Sequence, residues 1–226
     1  MNVLVLAAHP DDEVLGCGGT IARLASEGHR VTVAILGQGA ASRYAPASSD
    51  AMADAEKLKS QSCEAASILG NVEIKHFDLP DNRFDSIDLL DIVKILEGLA
   101  GDVRPHEVYT QHGGDLNIDH AITFRAAMTC FRPIPDSPVR ALYAFEVASS
   151  TEWAFGKFSP AFIPDTFVDI SEFLDRKLKA LAAYRDELRS SPHPRSIEGV
   201  SAQARDRGAR VGVFAAEAFV TIWRRI

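Results

Sequence analysis

Val3-Leu4-Val5-Leu6-Ala7-Ala8-His9-Pro10-Asp11-Asp12-Glu13 is the stretch from which the fold is read. Its first part is an unbroken apolar run without polar alternation, the pattern of a strand covered on both faces in a parallel sheet. The run is far shorter than the ~20 apolar residues of a membrane span. No basic segment precedes it, so it reads as a buried strand rather than a signal peptide. Outward from this strand, helical and strand-like patterns alternate. A helix over Val14–Glu27 is closed by Gly28, a strand covers Arg30–Leu36, a helix over Asp50–Leu69 is ended by Gly70, and a strand covers Val72–Phe77. A helix over Ser86–Leu99, a strand over Glu107–Gln111 and a helix over Ile118–Cys130, which Pro133 must end, continue the series.

This alternation specifies an α/β, Rossmann-like fold: a mostly parallel sheet with helices on both faces, right-handed crossovers and a C-terminal extension. The last third is less regular. Strands are expected at Val139–Glu146 and Thr166–Asp169, and an amphipathic helix over Ser171–Arg189 capped by Ser171. The rigid loop Ser190-Ser191-Pro192-His193-Pro194-Arg195 then leads to a helix over Ser196–Arg207. Residues 1–226 are expected to form one domain, with 1–131 as its core and 132–226 as the extension completing the site. The Pro/Ser-rich stretch 132–138 is taken as a loop inside that domain.

Composition narrows the function. With Lys+Arg 24 against Asp+Glu 31, the net charge is -7, and there is no basic run, which argues against nucleic acid or an anionic membrane as partner. Cys17, Cys63 and Cys130 are odd in number and form no CxxC pair, which fits reduced thiols in the cytoplasm rather than disulfides or a thiolate metal site.

Chemistry concentrates in two segments, each directly after a strand, where open α/β sheets bind their ligands. In His9-Pro10-Asp11-Asp12-Glu13 the carboxylates repel one another unless a cation holds them. The spacing of His9 and Asp12 lets an imidazole and a carboxylate converge from one turn, leaving Asp11 to act as a base; the plainer reading is an acidic helix start. The second segment is Gln111-His112-Gly113-Gly114-Asp115-Leu116-Asn117-Ile118-Asp119-His120. His120 is well placed as a third ligand, and three N/O ligands with an open position are the pattern of catalytic zinc. Asp115-x-Asn117-x-Asp119 copies the start of a calcium loop, but His120 stands where Gly is needed and Ala126 where Glu is needed, so calcium is excluded. Gly16-Cys17-Gly18-Gly19 lacks dinucleotide spacing and is read as close helix–sheet packing, with Cys17 a small buried side chain.

Ala8-His9-Pro10-Asp11-Asp12-Glu13 together with Asp119-His120 resembles the PIG-L/LmbE-like family of zinc-dependent de-N-acetylases. Leu79-Pro80-Asp81-Asn82-Arg83, Glu146-x-x-Ser149-Ser150-Thr151-Glu152-Trp153, Pro192-His193-Pro194-Arg195-Ser196 and Ala216-Glu217-Ala218-Phe219 look like a bacterial branch of it. The resemblance implies one Zn2+ per chain on His9, Asp12 and His120, with Asp11 as general base and Asp119 orienting an imidazole. Arg43 and Asp81 match positions that contact the sugar, which implies a small N-acetylated amino sugar, N-acetylglucosamine-like, as substrate. Trp153 and Arg83 are weaker candidates for the same contact. One departure stands out. Where many members carry a histidine as acid and oxyanion donor, this chain has Asn117, which can donate a hydrogen bond but not a proton. His112 and His193 are the candidates to replace it, His193 because flanking prolines fix its backbone. Two other readings stay open: an amidase for another conjugate, such as a sugar–thiol amide, and a sugar-binding protein without catalysis. A homo-oligomer is the base-rate expectation.

Overall fold

A computed structural model of the chain describes residues 1–39 and 49–226. Strand β1 (Asn2–Ala7) leads to helix α1 (Asp12–Ser26), then β2 (Arg30–Gly37), α2 (Ser49–Leu69), β3 (Val72–Leu79), α3 (Leu89–Val103), β4 (Glu107–Gln111), α4 (Ile118–Cys130) and β5 (Ala141–Phe145). Beyond these come β6 (Thr166–Asp169), α5 (Leu174–Ala183), α6 (Ile197–Val211) and β7 (Ala216–Arg224). One sheet holds all seven strands in the order β3-β2-β1-β4-β5-β7-β6. The first five are parallel to one another, and β7 runs antiparallel to both β5 and β6.

The apolar run of β1 is divided between two cores by the two-residue period of a strand. Val3, Val5 and Ala7 join Val31, Val33 and Ile35 under α1, α2 and α5. Leu4, Leu6 and Ala8 face the other way, against Ile92, Leu96 and Leu99 of α3 and Ala126 and Ala127 of α4. Both faces of the parallel part are therefore covered, which is why its strands show no polar alternation.

Three expectations are revised by the structure. The extension supplies β5 and β6 close to the expected Val139–Glu146 and Thr166–Asp169, and adds an unexpected strand, β7, to the same sheet. It enters between β5 and β6, and its Phe219 pairs with Phe145, both fully buried. The helix expected over Ser171–Arg189 contracts to α5, and Ser171 does not cap it: its hydroxyl donates to Asp169 Oδ1 (2.5 Å). The helix expected over Ser86–Leu99 starts later and runs through Gly101 to Val103, where Arg104 in the left-handed region and Pro105 end it.

Helix α1 is broken at Cys17, whose φ of -145° leaves the helical region. The groups released there are taken up by a buried ion pair. Glu217 on β7 accepts from Gly19 N (2.9 Å) and Thr20 N (2.7 Å). Lys177 Nζ on α5 donates to Leu15 O (2.9 Å) and to Glu217 Oε1 (2.6 Å). The expected close packing of the glycines is present: a Cβ on Gly16 would sit 2.1 Å from the Phe145 ring. Cys17 is wholly buried, and burial pushes its thiol well above the usual range.

Candidate metal centre and active-site cleft

From β1 the chain steps outward to β2 and β3, then returns to β4 on the other side of β1. The crossovers diverge between β1 and β4, and that is the switch point where open α/β sheets form a crevice. His9 and Asp12 follow β1, Asp81 follows β3, and the segment from Gln111 to His120 follows β4.

His9, Asp12 and His120 are brought together, each offering one ligand atom within 4.8 Å of the others. Asp12 Oδ2 lies 3.5 Å from His9 Nδ1 and 3.2 Å from His120 Nε2. The same oxygen accepts from His9 N (2.9 Å) and Gln111 Nε2 (3.0 Å), while Asp12 Oδ1 is buried without a hydrogen-bond partner. Neither ring nitrogen of His120 makes an aligned hydrogen bond, although the ring is fully buried. Buried polar atoms are normally paired, so Asp12 Oδ1 and His120 Nε2, both on the trio, are donor atoms that a bound cation would satisfy.

Two further carboxylates hold the imidazoles. Asp119 Oδ2 is 2.9 Å from His9 Nε2, and its Oδ1 accepts from Phe84 N (2.9 Å). Asp115 Oδ2 lies 3.2 Å from His120 Nδ1 and accepts from Thr151 Oγ1 (2.9 Å), while its Oδ1 accepts from Asn117 N (2.9 Å). Carboxylates behind imidazoles are how ligating histidines are oriented. The surplus of negative charge favours the protonated form of both imidazoles. Burial opposes protonation of His9, but hydrogen bonds to Asp119 and Asp12 outweigh it and raise the pKa to about 10. Burial likewise opposes protonation of His120, yet Asp12 and Asp115 raise it to about 9. The cluster calls for positive charge, and the N/O donor set fits a divalent ion such as zinc. His9, Asp81 and Asp119 form a second group with ligand atoms equally close, because His9 Nε2 is 3.3 Å from Asp81 Oδ1.

Asp11 sits beside this centre with a left-handed backbone, φ 102°, rare for a non-glycine residue. Arg195 Nη1 donates to Asp11 Oδ2 (3.1 Å). Burial raises the Asp11 pKa well above the usual carboxylate value, against the pull of Arg195. A cleft of about 90 Å³ opens here, lined by His9, Asp11, Asp81, Asn117, Glu187 and Arg195 among others.

The remaining expectations divide. Asp81 lines the cleft, buried. Asn117 also lines it, but its side chain is committed: Oδ1 caps α4 by accepting from Asp119 N, and Nδ2 donates to Asn82 Oδ1. Arg43 lies outside the described residues. The two replacement histidines are not brought to the cleft. His112 is buried between Phe124 and Phe162, with Nε2 2.8 Å from Pro160 O, the shape-holding bond of a structural histidine. His193 turns its ring edge to Trp153 at 5.1 Å, and its Nδ1 accepts from Arg195 N. The prolines around His193 do fix a loop, but the side chain that it delivers to the cleft is Arg195. Arg195 and Asp115 were missed as site residues. Arg195 stands within the quoted Pro192–Ser196 motif, and Asp115 within the polar segment Gln111–His120, where only its place in a calcium loop is excluded.

The sequence pattern describing the PIG-L family, GlcNAc-PI de-N-acetylase, matches residues 4–131. The chain belongs to this family. Among its relatives is the "Uncharacterized deacetylase YaiS" of Escherichia coli K12, 29% identical over 190 residues, covering 81% of this chain and 90% of that protein. The "Probable N-acetyl-alpha-D-glucosaminyl L-malate deacetylase 2" of Bacillus cereus is 27% identical over 193 residues, covering 82% and 83%. The fold is shared with GalB, the 4-carboxy-2-hydroxymuconate hydratase of Pseudomonas putida KT2440, at TM-score 0.78 and 22% identity over 100% of this chain and 98% of that one. Within this architecture the site, not the fold, decides the reaction.

Proposed function

We propose that this family member is a metal-dependent hydrolase that removes the acetyl group from a small N-acetylated amino sugar or its conjugate. The observation that carries the reading is the convergence of His9, Asp12 and His120, with orphaned donor atoms, beside a buried carboxylate that has no ligand role. The family and the deacetylases among its relatives support the same reaction. His9, Asp12 and His120 would hold one zinc ion, whose Lewis acidity brings the pKa of water toward about 7 and polarises an amide carbonyl. Asp119 and Asp115 keep the two imidazoles turned toward that position. Asp11 takes the proton of the attacking water and returns it to the leaving nitrogen. Its carboxylate is aligned by Arg195, which holds one oxygen and leaves the other for the proton. Asp81, Asn117 and Glu187 give the cleft the hydrogen-bonding walls that suit sugar hydroxyls. Arg43 is proposed to join them from the segment after β2. Glu187 and Arg195 support the proposal that residues 132–226 complete the site within one domain.

No described helix is long and apolar enough to cross a membrane, and the three cysteines are unpaired, which supports a cytoplasmic placement. The test is amine release from a panel of acetylated sugars and larger amides, with elemental analysis of protein purified without chelator. About one zinc per chain is expected. Asp11→Asn should keep the metal and lose most activity, whereas His120→Ala should lose both. A chain that takes up no divalent ion, or an Asp11→Asn enzyme of near wild-type rate, sinks the reading.

A further inference from the structure

Hydrolysis of an amide places a negative charge on the carbonyl oxygen in the transition state, and a site that carries the reaction holds a donor ready for it. The cleft wall is rich in carboxylates: Asp11, Asp81 and Glu187 all line it. Apart from the proposed ligand His9, Arg195 is the one cationic side chain among the described lining residues. Its attachments are one-sided. Nε donates to Ser149 Oγ (2.9 Å) and Ala148 O (3.3 Å), and Nη1 donates to Asp11 Oδ2 (3.1 Å). Nη2 has no hydrogen-bond partner among the described residues, although the side chain is only 21% exposed. The neutral amides on this wall carry no charge and each already makes one bond, Asn82 Nδ2 to Asp81 Oδ1 and Asn117 Nδ2 to Asn82 Oδ1. A guanidinium held at two of its nitrogens on the wall of a cleft is a pre-oriented charged donor.

We propose that Arg195 is a catalytic residue, its Nη2 donating to the oxyanion of the reaction described above, on which this assignment rests. As the water oxygen bonds to the acetyl carbon, the carbonyl π pair moves onto oxygen and is held by Nη2–H, and the water proton passes to Asp11. On collapse the carbonyl re-forms and the C–N bond breaks with its pair on nitrogen, which takes the proton back from Asp11. The products are acetic acid and the free amine. Arg195 stays protonated throughout, so it supplies charge and moves no proton.

The test separates a direct role from one acting through Asp11. Arg195→Gln and Arg195→Lys are made in the natural chain and in an Asp11→Asn background, with zinc content and circular dichroism checked for each. Two probes are titrated calorimetrically: the methylphosphonamide of glucosamine, a tetrahedral anion, and N-acetylglucosamine. Arg195→Gln should weaken the phosphonamide by about 10²–10³-fold in both backgrounds, and N-acetylglucosamine by less than about threefold. Arg195→Lys, which keeps the charge, should fall between. If phosphonamide affinity is insensitive to Arg195, falls only when Asp11 is present, or falls equally for both probes, the assignment is overturned. Should Arg195→Gln fail to fold, a natural-like phosphonamide affinity in Arg195→Ala paired with Ser149→Ala, or a full loss in Arg195→Lys with zinc retained, would decide against it. A wild-type protein that releases amine from no acetylated compound defeats the deacetylase reading instead, which the calorimetry does not confuse with this one.

Discussion

Lys177→Met removes one partner of the ion pair that repairs the break in α1, and its cost follows from the burial. Both side chains are 3% exposed and meet at 2.6 Å. Deleting the cation leaves the Glu217 carboxylate uncompensated, a situation that costs about 3–5 kcal/mol. In a chain of this length each kcal/mol moves Tm by about 2–4 °C, so Tm should fall on the order of 10 °C. Lys177→Met with Glu217→Gln should regain part of the loss: it removes the buried charge, and its one amide oxygen keeps one of the two bonds that Glu217 accepts on separate oxygens from Gly19 N and Thr20 N. Lys177→Met with Glu217→Met should not, since it strands both amides at about 1–3 kcal/mol each. Urea unfolding followed by circular dichroism, together with calorimetry, reads all three. A loss below about 1 kcal/mol in Lys177→Met, or a Met/Met variant more stable than the Met/Gln one, would refute the reasoning.

Asp115→Asn should weaken zinc binding by about 10–100-fold through the loosened His120 imidazole, measured by chelator competition; unchanged affinity would remove Asp115 from the site. Gly114→Ala places a Cβ 1.8 Å from Pro160 O, so the loop must retreat and release His112; the expected loss is about 1–3 kcal/mol, with faster proteolysis near Pro160. His76 has its pKa lowered, first by burial and then by the Lys59 cation, from the usual 6.5. The unfolded chain therefore binds this proton first, and stability is full above about pH 6.5 and declines as pH falls below it. His76→Gln should flatten that decline in urea midpoints compared at pH 5.5 and 7.5.

What the sequence revealed follows the range of the forces involved. The succession of the first five strands along the chain and the meeting of His9, Asp12 and His120 were legible because the run from Val3 to Ala8 is apolar and the polar residues come abruptly after it. β7 was hidden by Glu217, a charge at a buried position that looks like a surface residue until Lys177 is seen across from it. The end of α3 was misplaced because Gly101 is tolerated inside a helix, whereas Arg104 adopts the left-handed cap. The local half of the site, His9 to Glu13, could be read from spacing. Arg195 could not, because its contact with Asp11 joins segments 184 residues apart.

The strand order has a consequence for synthesis. Strands β1 to β5 are adjacent in sequence order or close to it and can pair as the chain leaves the ribosome. The residues of β5, Ala141–Phe145, are all buried in the finished protein, and among the described residues β7 is the strand that pairs with its outer edge. At about 5–20 residues per second, an apolar strand edge stands open for several seconds before Ala216–Arg224 arrives. Strand β6 waits as well, since its partner is β7. A nascent chain halted after residue 195 would already carry every proposed ligand, yet present a sticky unpaired edge. Output of soluble protein in cells should therefore track the supply of holding chaperones more closely than it tracks the stability of the finished sheet.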